Sequence, residues 1–280
     1  MKIIEPKVEL LSEIGISPES HIARCARVCY GKEYKEPNQE ADKKMVDGLI
    51  KRNHLSMLRH NSAYFVFTNH LPEEFKSEYV NILSQEDYIY ASTNGQFTLE
   101  HNNKADLNSH VFLNLCRKYP DLFNLYRLTF CITTQISTSR ELNRCSPNAI
   151  AERSTRYCSS KDGLEICRPW WSKSSEEDII NGNCTHKEFL YYINAISEAE
   201  RAYKALIDEG MKPEDTRGIL PLDTATKVIY TYSVQEWKHI IDLRYYGTTG
   251  RPHPNAKLVI GMVRNQINQF AKENNIDFQV

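Results

Sequence analysis

The sequence predicts an α+β fold in a single domain. Runs of β-forming residues are few, at 63–68, 128–134 and 226–232. Between them lie segments with apolar residues at helical spacing. No internal repeat or low-complexity linker divides the 280 residues, a length that can bury a sizeable core. Few strands among many helices, without strict alternation of the two, point to α+β rather than to a parallel α/β sheet.

In chain order, Ser17-Pro18-Glu19 opens a helix, with Ser as N-cap and Pro at the first helical position, where its missing N–H costs nothing. The helix is expected to run through Cys25 and Cys29 and to stop at Gly31. A second helix is expected over 40–52, with Met45, Leu49 and Ile50 on its inner face. Residues 63–68 form the first strand. Within 72–125, residues 88–91 read as a strand and 107–119 as a helix. Residues 128–134 form the second strong strand, and a short helix starts near Thr138, followed by polar chain to Tyr157. Residues 159–183 read mostly as loop. Thr185 is expected to cap a long amphipathic helix that carries Phe189, Tyr192, Ile193, Ile196, Tyr203 and Leu206 as its stripe and ends at Gly210. A short helix begins at Lys212-Pro213 and breaks near Leu220-Pro221. A strand over 226–232, a helix over 234–243, a loop over 247–254 and a last helix over 255–272 complete the chain.

Composition narrows the function classes. The chain carries 35 basic and 36 acidic residues, a net charge of −1, so the basic footprint of a general nucleic-acid binder is missing. A small anionic ligand stays open, because a few arginines can converge locally. No apolar run reaches membrane-spanning length, and the N-terminus lacks the apolar stretch of a signal peptide, so no membrane association and a cytoplasmic location are expected. The eight cysteines are expected to be free thiols. Cys184 and His186 lack a second pair at ligand spacing, and no metal is expected.

The densest polar cluster runs from Ser139 to Ser146 and continues as Glu152-Arg153-Ser154-Thr155-Arg156-Tyr157. Arginine forks bind phosphate at two points, and a Ser-Thr loop supplies hydroxyls and backbone N–H groups for the same task. That makes the cluster a candidate anion or nucleotide site. The competing reading is a solvated charged loop, which composition alone favours. Arg217, before Leu220-Pro221, could reach a pocket or simply face a helix C-terminus. Arg244 ends an apolar helical face, where a half-buried guanidinium needs a partner. His54 and His60 flank a helix-to-strand link as possible ligands or as ordinary helix-end histidines.

Taken in order, these pieces resemble the flavin-dependent thymidylate synthase family (ThyX type). The hallmark there is Arg-His-Arg, seven residues, then Ser-x-Arg-Tyr. Here Arg144-Cys145-Ser146 is followed by seven residues and Ser154-Thr155-Arg156-Tyr157. The segment His54-x-Ser56 with His60, the stretch Arg217-Gly218-Ile219-Leu220-Pro221 and Leu243-Arg244 resemble further family segments, as does Cys25-Ala26-Arg27-Val28-Cys29-Tyr30. Asn53 and Arg59 replace the family's Gly and Glu, and Cys145 and Ser146 replace the hallmark's His and second Arg.

The resemblance implies a ThyX-like domain with a central, mainly antiparallel sheet flanked by helices, and with 72–125 as an insertion after the first core strand. It implies reductive methylation of dUMP to dTMP with FAD, methylenetetrahydrofolate and NADPH, by a homotetramer whose active sites lie between subunits. Carried over by position, the dUMP contacts are Glu141, Arg144, Glu152, Ser154, Thr155, Arg156, Arg217 and Arg244, the last also the catalytic cation facing the uracil. The FAD contacts are Ser56, Arg144, Cys145, Ser146, Glu152, Ser233, Val234, Gln235 and His239. Cys145 and Ser146 cannot replace a His and an Arg in charge or reach. A nucleophilic role for Cys145 would need a lowered thiol pKa, and an inert thiol is the simpler reading. Two alternatives stand beside the synthase: a flavoenzyme with other pyrimidine-nucleotide chemistry, and a nucleotide-binding protein without catalysis.

Overall fold

A computed structural model describes residues 1–32, 38–146, 149–160, 162–172 and 187–280. The strands are β1 (Lys2–Ile4), β2 (Lys7–Leu10), β3 (Ser62–Phe67), β4 (Asn81–Gln85), β5 (Tyr88–Asn94), β6 (Arg127–Gln135), β7 (Ala149–Glu152), β8 (Glu165–Cys167) and β9 (Ala225–Ser233). The α-helices are α1 (Pro18–Val28), α2 (Gln39–Lys51), α3 (Gly95–Glu100), α4 (Ser109–Lys118), α5 (Ile136–Leu142), α6 (Lys187–Asp208), α7 (Pro213–Thr216), α8 (Val234–Ile241) and α9 (Pro254–Glu273). Among the described residues no helix is long and apolar enough to cross a membrane.

The fold is α+β, built around an antiparallel sheet in the order β2-β6-β9-β7. Side chains on its strands alternate between two cores, as the period of two requires. Leu128, Phe130, Ile132, Val228, Tyr230 and Tyr232 point into the main core, where they meet Trp237 and Ile240 of α8 and Val259, Ile260, Val263 and Ile267 of α9. Cys131, Ala151 and Ile229 point the other way, onto Cys25 of α1. β3 is not part of this sheet. It pairs with β5 in a second antiparallel sheet of order β3-β5-β4. Segment 72–125 therefore supplies two of the three strands of that sheet, and its 3₁₀ turn Pro120–Leu125 puts Leu122, Phe123 and Leu125 into the main core.

Local chemistry sets the boundaries that position the site. Ser17 caps α1 by accepting the Ser20 N–H, and the chain leaves the helix through Gly31 at φ +63°, in the left-handed region that favours glycine. On α2 the inner face is Asp42, Val46 and Leu49, at i, i+4 and i+7, so Ile50 falls one step past it and is exposed, contrary to expectation. Ser233 and Glu236 form a capping box at the start of α8. The helix expected to continue to 243 widens at Asp242 into a π-turn, Asp242–Tyr246, and ends at Gly247 with φ +76°. The long helix α6 buries Phe189, Ile196 and Tyr203 as its stripe. The expected cap Thr185 and the pair Cys184 and His186 lie outside the described residues. Two short strands appear where only loop or polar chain was expected: β7 beside β9, and β8 in a parallel pair with β1.

Candidate functional site

The polar cluster folds against the start of β9. α5 follows β6 directly and carries Ser139 and Arg140, while β7 ends at Glu152 opposite Val228. Two backbone bonds then fix the turn that follows: the Arg153 N–H donates to the Lys227 carbonyl at 2.9 Å, and the Ser154 N–H to the Cys29 carbonyl at 3.0 Å. The turn is thus stitched to both β9 and the end of α1.

Glu152 is held from three sides. Its Oε1 accepts from the hydroxyls of Ser139 (2.8 Å) and Thr226 (3.1 Å), and its Oε2 accepts from the Asn143 amide (3.3 Å). The Asn143 Oδ1 in turn accepts from the Tyr230 hydroxyl at 2.7 Å, which fixes the amide's orientation. Burial pushes the Tyr230 phenol well above its ordinary range, so it serves here as a donor. Ser139 and Asn143 fall in the polar cluster that the sequence marks, but their hold on Glu152 is not legible there, and Thr226 and Tyr230 read only as strand residues. The sequence shows only the i, i+4 spacing of Ser139 and Asn143 on a short helix.

Glu152 sits in a cleft of about 810 Å³, a volume suited to a small ligand. Ser154, Thr155 and Arg217 line it too, with Arg140 and Arg153 adding two cations. Three arginines against one carboxylate make the wall electropositive, and Gly218, Leu220, Pro221 and Leu222 add an apolar side. Arg217 reaches the cleft as the C-cap of α7. Arg156 does not line it: its guanidinium lies 3.2 Å from Glu214 and stacks over Tyr157, whose ring meets Tyr30.

Glu141, Arg144 and Arg244 do not line this cleft. They gather at the C-terminal end of α5, where the Glu141 carbonyl accepts from Arg244 Nη2 at 3.3 Å and from the Cys145 thiol at 3.5 Å. Arg244 was expected to need an anionic partner; its contact is instead a backbone carbonyl at a helix C-terminus, where a cation is favoured. The buried Nε of Arg244 has no protein partner, a donor left over for a ligand acceptor. Arg144 is exposed.

Of the nine positions carried over for the flavin, Glu152 lines the cleft, Cys145 is half-buried against the Glu141 carbonyl, and the other seven divide into two groups. Ser56, Arg144, Gln235 and His239 are exposed and open to a ligand. Ser146, Ser233 and Val234 face inward: Ser146 Oγ donates to Glu236 Oε1 at 3.1 Å, the Ser233 N–H and hydroxyl both donate to Glu236 Oε2, and Val234 is fully buried. The exposed group and the unpartnered Arg244 Nε are the polar groups open to a cofactor, while Ser146 and Ser233 are taken up by the cap of α8 and Val234 by the core. His60, by contrast with the helix-end reading, is fully buried, with Nδ1 2.8 Å from Thr231 Oγ1.

A family model described as "Thymidylate synthase complementing protein" matches residues 82–270, more than half of the chain. Curated relatives are described as flavin-dependent thymidylate synthases. The protein from Synechocystis sp. is 23% identical over 161 residues, covering 56% of this chain and 75% of that protein. The one from Geobacter sulfurreducens is 36% identical over 62 residues, covering 22% of this chain and only 27% of that protein. Among solved structures, a UMP/dUMP methylase PolB from Streptomyces cacaoi bound with 5-Br dUMP aligns over 97% of this chain and 93% of its own, at 15% identity and a TM-score of 0.45.

Proposed function

The chain belongs to the thymidylate synthase complementing protein family, and on that footing we propose that it is a flavin-dependent thymidylate synthase that methylates dUMP to dTMP. Methylenetetrahydrofolate is the carbon donor, FAD the redox cofactor and NADPH the reductant. The observation that carries the proposal is Glu152, pinned by three donors in a cleft with three arginines beside the Ser154-x-Arg156 turn. A nucleotide monophosphate needs such an electropositive wall and free hydroxyl and N–H donors.

Each residue then has a role. Ser154, Thr155 and Arg217 take the phosphate; Arg144 and Arg156, which lie outside the cleft within one chain, complete the charge from a neighbouring subunit. Glu152 and Glu141 orient the sugar and base. Arg244 presents its spare Nε–H where negative charge spreads onto the uracil oxygens, and its fixed protonation suits that task. When bound, the reduced flavin supplies the hydride, and Ser56, Arg144, Gln235 and His239 are the open side chains that would hold it. The proposed assembly is a homotetramer with sites between subunits. It is supported by Arg144, Arg156 and Arg244, positions carried over as nucleotide contacts that do not line the cleft within one chain.

A second reading, a flavoenzyme with different chemistry on a pyrimidine nucleotide, is favoured by the inward-facing Ser146. A charge-assisted contact missing there costs about 1.5–3 kcal/mol, roughly ten- to hundredfold in flavin affinity. One experiment orders these readings: a visible spectrum of the purified protein with added FAD and dUMP, followed by product analysis. Flavin bands and dTMP are expected. Flavin bands with another product select the second reading, and a colourless protein that binds dUMP leaves a nucleotide-binding protein without catalysis.

A further inference from the structure

Resting on the dUMP assignment above, we propose that Arg153 is a substrate-binding residue held in reserve by Glu165. Its guanidinium leaves the Glu165 carboxylate and takes the phosphate of the incoming nucleotide. Position 153 is fixed at the backbone by the bonds to Lys227 and, through Ser154, to Cys29. A fixed Cα with a long side chain defines a small arc that the guanidinium can sweep. Both ends of that arc are present. Arg153 lines the main cleft together with Ser154, Thr155 and Arg217. It also lines a smaller chamber of about 360 Å³ that shares Ser154, Thr155 and Thr226 with the cleft, and Glu165 stands on the wall of that chamber.

The resting contact is weak by geometry. One nitrogen, Nη1, lies 3.4 Å from Glu165 Oε2, with the two side chains 32% and 42% exposed. A single long contact between half-exposed partners is screened by water. A phosphate offers more, because a guanidinium presents two parallel N–H donors to two phosphate oxygens at once. Exchange therefore runs toward the nucleotide. Arg156, one turn further on, differs: Glu214 and the Tyr157 ring both hold it outside the cleft. Glu165 comes from β8, whose place is set by parallel pairing with β1 rather than by the cleft, so it acts as an independent competitor for the same cation.

The test compares dUMP with deoxyuridine, which lacks the phosphate, by calorimetric titration of the full chain with FAD present. Arg153→Gln is expected to weaken dUMP binding roughly ten- to hundredfold and to leave deoxyuridine unchanged. Glu165→Gln is expected to tighten dUMP binding, up to about fivefold, with deoxyuridine again unchanged. In the Arg153→Gln background the Glu165→Gln gain should vanish, because the two side chains act as one unit. If wild type binds dUMP but both variants match it within about twofold, or if deoxyuridine shifts as much as dUMP, the Arg153 role is overturned and the dUMP assignment stands. Wild type that binds no dUMP overturns both. Should Arg153→Gln fail to fold, Glu165→Gln decides alone: tightening supports the exchange and no change refutes it.

Discussion

Replacing Glu13 by Gln should make the protein more stable above neutral pH. Glu13 lies in the link between β2 and α1, inside a buried polar cluster. Its Oε1 accepts from Ser62 (2.8 Å) and its Oε2 from Ser109 (3.1 Å), with His21 Nε2 at 3.4 Å and the charges of Arg127 and Arg24 close by. Burial opposes the charged form and outweighs these partners, pushing the carboxyl from 4.5 up to about 7. The native state thus keeps a proton that the unfolded chain releases near 4.5. Between those values the native state binds more protons than the unfolded one, so stability falls as pH rises. At about 1.4 kcal/mol per pKa decade, a rise from 4.5 to about 7 costs about 3 kcal/mol, fully lost above the folded value.

Two buried histidines act in the opposite sense. Burial holds His60 down to about 3 and His21 well below 6.5, so both are neutral when folded and protonated below 6.5 when unfolded. Their contribution is present above 6.5 and is lost as pH falls. Glu13 and the histidines overlap between 4.5 and 6.5, so a wild-type stability curve alone does not separate them. The difference between wild type and Glu13→Gln cancels the histidines. Urea unfolding from about pH 5 to about pH 8 should show the variant's advantage over wild type growing by about 2.5 kcal/mol toward the basic end. A variant that is less stable at about pH 8 refutes the reasoning, since Glu13 would then be a charged partner of Arg127 and His21 rather than a buried acid.

Three further outcomes follow from contacts at the site and beneath it. Glu152→Ala takes the acceptor from the buried Thr226 hydroxyl and from the Asn143 amide, while Ser139 keeps the Ile136 carbonyl at 3.0 Å; thermal melts should show a loss of about 1–2 kcal/mol, with Glu152→Gln recovering most of it. Arg244→Ala removes a side chain whose protein contact is one 3.3 Å bond to a carbonyl, so the melt should barely move while turnover of dUMP disappears; retained turnover removes Arg244 from its proposed role. Gly95→Ala places a Cβ 2.7 Å from the Leu58 carbonyl, a backbone atom that cannot rotate away, and should cost about 1–3 kcal/mol in a denaturation series.

The parts of this molecule visible in its sequence are those set by short-range chemistry. The strands at 62–67, 127–135 and 225–233 announce themselves because each is a run of β-branched and aromatic residues long enough to stand alone. β7 (Ala-Ile-Ala-Glu) and β8 (Glu-Ile-Cys) do not, because they are strands only by virtue of a neighbour's edge, β9 for one and β1 for the other. The site divides the same way. Its arginines and Glu152 can be picked out by residue type and order. The clamp that Ser139, Asn143, Thr226 and Tyr230 make on Glu152 cannot, because it comes from the meeting of α5 with β9 across long sequence separations.

Position 146 shows why a departure from a family motif is easy to see in the sequence and hard to interpret from it. In sequence, Ser146 is an arginine lost. In the fold it is a donor gained, because Glu236 spends Oε2 on the capping box that starts α8 and offers Oε1 to Ser146. Asn81 of β4 reaches the same carboxylate, 3.4 Å from Oε2. The segment 72–125 and the altered hallmark therefore meet at a single acid. A cation at 146 would have to fit a carboxylate already engaged by the helix cap and by β4. The sequence change at 146 is thus coupled to elements sixty-five residues before it and ninety after it, Asn81 and Glu236, and only their packing makes that coupling visible.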